Sequence, residues 1–75
     1  EKQKRLRKAE RAVEDSERKV SDMERRLKEL DGLLMDPKNA SDMELVTEYT
    51  SVKRALDEEV ERWEKLSEEY EQLNQ

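Results

Sequence analysis

The sequence has no cysteine, no histidine and no phenylalanine, and only one glycine, one proline and one tryptophan among its 75 residues. Each absence closes a class of function. Without cysteine there is no disulfide framework and no thiol chemistry, and with histidine missing too the commonest zinc ligands are gone. A single glycine, Gly32, cannot build the glycine-flanked loop that cradles nucleotide phosphates. No apolar run approaches the ~20 residues a membrane span requires. With no signal peptide and no initiator methionine, the chain reads as a cytoplasmic segment of something longer, without a membrane partner. Its length and its 4% aromatic content leave too little material to enclose a ligand pocket of the ~300 Å³ class.

What the chain does have is charge, 49% of its residues, in a setting of Glu, Lys, Arg and Leu that favours long helices. Apolar or small residues fall at Leu6, Ala9, Val13, Ser16, Val20, Met23, Leu27, Leu30 and Leu34, alternating steps of three and four. That is a heptad seam. It resumes at Leu45, Tyr49, Val52, Leu56, Glu59, Trp63, Leu66, Tyr70 and Leu73, where only Glu59 is out of character. Between the two seams Pro37 removes a backbone donor and pushes Asp36 out of the α region, so the first helix must stop near Met35. Gly32, on the outer face close to that end, is expected to ease the exit. Ser41 followed three residues later by Glu44 predicts a capping box that restarts the second helix. The sequon Asn39-Ala40-Ser41 is read as part of that capping chemistry and not as a glycosylation site. The fold class is therefore all-α, a single antiparallel two-helix coiled-coil hairpin, with helices over about 2–35 and 42–74 and a turn over about 36–41.

An antiparallel pairing that sets Leu34 against Leu45 at the turn and Leu6 against Leu73 at the open end brings Leu30 to Tyr49, Ser16 to Trp63 and Ala9 to Tyr70. Small residues then face large ones, which is how layers fill space. Ser16→Leu is expected to overpack against Trp63 and to cost about 1 to 3 kcal/mol. Val20 falls opposite Glu59, the weak layer. Glu59 is expected to carry its carboxylate to the edge over its own methylenes while Val60 supplies an apolar contact; the competing reading makes it a register-fixing or hinge position. The same pairing predicts flanking contacts of Arg26 with Glu48, Asp31 with Lys53 and Arg5 with Glu69. Residues 1–30 carry eleven basic and eight acidic side chains and residues 41–75 four basic and eleven acidic, so the helices attract one another.

Catalysis finds no support in these residues. The carboxylates are numerous, but on a two-helix hairpin they form a solvated face with nothing to exclude water or shift a pKa. No active site, cofactor or metal is expected. The patterned polar feature is a basic stripe: Lys4, Arg11, Arg18 and Arg25 recur every seven residues on the face away from the partner helix, with Arg7 and Lys8 beside them. At 1.5 Å per residue it runs for about 30 Å, suited to lying along a phosphate backbone. The competing account is a solvated face, with Glu14 to Arg18, Asp22 to Arg26 and Arg25 to Glu29 as i,i+4 partners.

Met35-Asp36-Pro37, then Tyr49 and Leu56, then Glu61-Arg62-Trp63-Glu64-Lys65-Leu66, together with Arg7-Lys8-Ala9-Glu10-Arg11-Ala12-Val13-Glu14 in the first helix, resemble the C-terminal coiled-coil domain of ABC-F family ATPases of the Uup-like type. The resemblance spans nearly the whole chain. It implies two ATP-binding cassettes upstream, so that ATP would be bound outside these residues, together with action on ribosomes and an association of this domain with DNA. None of the family's ATP-binding motifs falls within the chain, and the acidic second helix departs from what a strong DNA binder shows.

The reading that follows is a non-catalytic module of such an ATPase, a monomeric hairpin touching DNA or ribosomal RNA through Lys4, Arg7, Lys8, Arg11, Arg18 and Arg25. The alternative is a protein–protein or spacer coiled coil with no nucleic-acid affinity, whose contact patch would be Leu33, Met43 and Val46 around the turn. Pairing between two chains is a third arrangement, which Pro37 and the matched Ser16 and Trp63 layer disfavour.

Overall fold

The computed structural model describes residues 1–75 and consists of two helices, α1 (Lys2–Met35) and α2 (Met43–Leu73), packed along each other as an antiparallel hairpin. The molecule is a rod of 56 × 15 × 14 Å. Its radius of gyration, 16.8 Å, far exceeds the roughly 11 Å of a compact domain this long. Stability must therefore come from one narrow seam.

That seam follows the heptad pattern. Leu27, Leu30, Leu56, Ser16 and Glu59 are buried, with Leu30 fully enclosed. The remaining seam positions, from Leu6 to Leu34 and from Leu45 to Leu73, are half-buried, since each side of a two-helix interface stays open to water. Residues three and four apart stack on one edge of a helix, which is why a three-four spacing produces a continuous apolar strip.

At the turn, Asp36 leaves the helix in extended geometry (φ −71°, ψ 125°), as the residue before a proline should. Its backbone amide still donates to the Leu33 carbonyl at 3.2 Å. The Asp36 Oδ1 accepts from the Lys38 amide at 3.0 Å, and Asn39 Nδ2 donates to the Leu33 carbonyl at 3.1 Å. The reversal is held by hydrogen bonds that close off the end of α1.

Two local expectations are corrected here. The cap of α2 is Asp42, not Ser41: Asp42 Oδ1 accepts from the amides of Glu44 (3.0 Å) and Leu45 (3.4 Å). The Asp42 amide donates to the Asn39 carbonyl at 2.9 Å, and Asp42 is extended (φ −75°, ψ 103°), which places its carboxylate over the first turn of α2. An anion is better than a hydroxyl at the positive end of a helix. Gly32 lies inside α1, three residues before its end and without a positive φ, so it does not serve as the left-handed cap; the helix ends at the Asp36-Pro37 step.

Candidate functional site

The interhelical contacts fix which faces remain free. Across the middle of the seam, Ser16 Oγ donates to Glu59 Oε2 at 2.6 Å. Ser16 is 3% and Glu59 6% exposed. The other carboxyl oxygen, Oε1, lies 3.6 Å from Arg62 Nη1. Glu59 therefore does not reach for the edge as an exposed defect; it turns into the seam because a serine there offers a donor, and a buried carboxyl without one would be costly. The Trp63 indole Nε1 donates to Glu17 Oε1 at 3.2 Å.

Nearer the turn, Arg26 Nε and Nη2 donate to Glu48 Oε2 and Oε1 at 2.6 and 2.9 Å, and Nη1 reaches Glu29 Oε2 at 3.0 Å. This two-pronged geometry is the strong form of an arginine–carboxylate pair. The hydrogen bonds from Arg26 hold the Glu48 carboxyl below its ordinary value, against an opposing desolvation. Those to Glu48, and then to Glu29, raise the Arg26 guanidinium further above its already high one. Of the other flanking contacts expected from the register, Arg5 and Glu69 line the same groove without forming an ion pair, and Asp31 and Lys53 form none. Long exposed side chains gain too little from pairing to be fixed by it.

All six residues of the basic stripe are exposed on α1, but they divide into two groups. Arg18 lies 3.5 Å from Asp15 and Arg25 lies 3.6 Å from Asp22, both one turn back. The i,i+4 partners expected for these arginines do not form; the i,i+3 aspartates take their place. Lys4, Arg7, Lys8 and Arg11 make no ion pair, and these four alone line a shallow recess of about 240 Å³ near the open end. The unpaired members of the stripe are thus gathered in the first three turns of α1. The signal was present in the chain as Asp15-x-x-Arg18 and Asp22-x-x-Arg25, against no acid three residues before any of the quartet except Glu1.

At the opposite end, the large exposed hydrophobic side chains of the molecule are gathered at the turn: Leu33 (42% exposed), Met35 (84%) and Met43 (70%). Val46, expected with them, is half-buried.

No group of three or more acidic, histidine or cysteine side chains is arranged to hold a metal ion, and no helix is long and apolar enough to cross a membrane. The recesses along the rod are open grooves. No protein-family model, characterised protein or solved structure matches this chain.

Proposed function

We propose that the hairpin is a non-catalytic nucleic-acid-contacting arm, the C-terminal coiled-coil module of an ABC-F ATPase working in the cytoplasm on ribosomal RNA or DNA. The family assignment rests on the residues that resemble that domain. The contact rests on a single observation: Lys4, Arg7, Lys8 and Arg11 face one recess with no carboxylate among its lining residues. Four cations held on a rigid helix match a run of backbone phosphates without reading base identity. Arg18 and Arg25 extend the stripe but are already paired with Asp15 and Asp22. The rod sets where the quartet sits relative to the rest of the parent protein; ATP would be handled by cassettes outside these residues.

Fluorescence anisotropy with labelled duplex DNA and with an RNA hairpin tests this reading. Replacing Lys4, Arg7, Lys8 and Arg11 together by Glu is expected to abolish binding, whereas Arg18→Glu with Arg25→Glu weakens it only slightly. Equal losses in the two variants, or binding indifferent to salt, would remove the quartet from the account.

A second reading, a protein–protein contact, is favoured by the three apolar side chains at the turn. Patches of this kind on an otherwise polar surface mark interaction sites. Under it, Met35→Ser with Met43→Ser would end capture of a ribosomal protein while the quartet substitutions left capture intact.

A further inference from the structure

On one side of the hairpin an open groove of about 210 Å³ runs between the helices, lined by Glu17, Val20, Ser21, Glu24, Val60 and Trp63. Its floor is apolar: Val20, Val60 and Trp63 are half-buried, each keeping a face open to solvent. The α1 edge is acidic, because Glu10, Glu17, Glu24 and Asp31 recur every seven residues and so share one edge of the helix. None of the four has a cation within ion-pair distance. Glu17 is additionally fixed by accepting the Trp63 indole hydrogen at 3.2 Å, which couples the carboxylate edge to the aromatic floor.

We infer that this groove docks a basic amphipathic helix of a partner protein, with its apolar stripe on Val20, Val60 and Trp63 and its Lys or Arg side chains along Glu10, Glu17, Glu24 and Asp31. Charge selects the occupant. Nucleic acid is repelled by a row of carboxylates, so this face and the Lys4 to Arg11 quartet serve different ligands. A second copy of the chain is a poor fit, since the facing α2 edge, Val46, Lys53, Val60 and Ser67, offers one cation for the four acids. An arginine-bearing helix satisfies both elements: its guanidinium groups pair with the carboxylates and stack on the open face of the indole, an arrangement common at the energetic centres of interfaces. Helix-in-groove recognition uses anchors at i, i+3, i+4 and i+7 of the incoming helix, and the groove offers them Val60 and Trp63, three apart on α2, with Val20 across from them on α1.

Trp63 is the sole tryptophan and therefore reports on its own groove. The intact chain is titrated with a synthetic three-heptad peptide carrying Leu on one face and Arg on the flanks, free of Trp and Tyr. The indole emission is expected to shift to the blue with saturation. The Glu17→Lys, Glu24→Lys double variant is expected to lose at least about tenfold in affinity, and a peptide with Glu in place of Arg is expected to bind that variant better than it binds the wild type. Both substituted side chains are exposed, and because Glu17→Lys also removes the hydrogen bond from the Trp63 indole, Glu24→Lys alone, which touches no such bond, is expected to weaken peptide binding in the same direction. Glu substitutions at Lys4, Arg7, Lys8 and Arg11 should leave peptide binding unchanged or improved, which separates this surface from the nucleic-acid contact. An unshifted emission, equal binding of the Arg and Glu peptides to the wild type, or sedimentation showing the groove filled by a second copy would each overturn the inference.

Discussion

Ser16 Oγ donates to Glu59 Oε2 at 2.6 Å across the hairpin, joining residues 43 positions apart in the chain at the buried centre of the seam. Removing either partner leaves the other without its match. Ser16→Ala is expected to destabilise the hairpin by about 1 to 3 kcal/mol, the cost of a buried acceptor left unsatisfied. Replacing both, Ser16→Ala with Glu59→Leu, should restore the loss or exceed it while weakening the preference for one register. Chemical denaturation of the two single variants and the double variant reads the coupling. If side-chain volume against Trp63 were the only issue at this position, Ser16→Ala would be nearly silent; Ser16→Leu should be destabilising on both counts.

The cap at the start of α2 separates two neighbouring residues. Asp42→Ala is expected to cost about 0.5 to 2 kcal/mol, through loss of the bonds to Glu44 and Leu45. Ser41→Ala should change the thermal midpoint far less. The reverse order would return the capping role to Ser41.

Gly32 lies in the interior of α1, and an added Cβ would meet nothing within 4 Å. Its backbone is not in the left-handed region. Gly32→Ala is therefore expected to stabilise the hairpin by about 0.5 to 1 kcal/mol through backbone entropy. For a chain of this size that corresponds to a rise of several degrees, ~4 to 8 °C per kcal/mol, by circular dichroism.

Acid should loosen the molecule through Glu48. Its carboxyl is held below the ordinary value of 4.5 in the folded chain, so at acid pH the unfolded chain binds more protons than the folded one. The stabilisation is present above 4.5 and fades as pH falls through the lower, folded value. Glu48→Gln is expected to flatten that part of the pH profile, and a profile unchanged by the substitution would show that the Arg26 pairing has no effect on stability. Arg26 is charged throughout the accessible range and adds no pH dependence of its own.

Binding of duplex DNA by the Lys4 to Arg11 quartet sets a salt dependence. Four phosphate contacts imply that log K falls with log salt with a slope of about −3 to −4. Replacing one member of the quartet at a time by Gln should reduce the steepness of the slope by about one unit each. A slope near −6 in the wild type would bring Arg18 and Arg25 into the contact.

The sequence by itself determined the two helices, their seams, the place where the chain reverses and the pairing of Arg26 with Glu48. These follow from rules acting over a few residues: three-four periodicity, the steric effect of Pro37 on Asp36, and the rough alignment any hairpin imposes on two seams of equal length. Tertiary structure alone decided that Glu59 turns inward, because its donor, Ser16, comes from the other helix and only the packed seam brings them within 3 Å. The cap is a local matter, settled by the turn in which the Asn39 carbonyl accepts from the Asp42 amide and the Asp42 carboxylate lies over the next turn. The division of the basic stripe into two paired arginines and a free quartet belongs instead to the sequence, since Asp15 and Asp22 stand three residues before Arg18 and Arg25 on the same helix and no such acid precedes Arg7, Lys8 or Arg11.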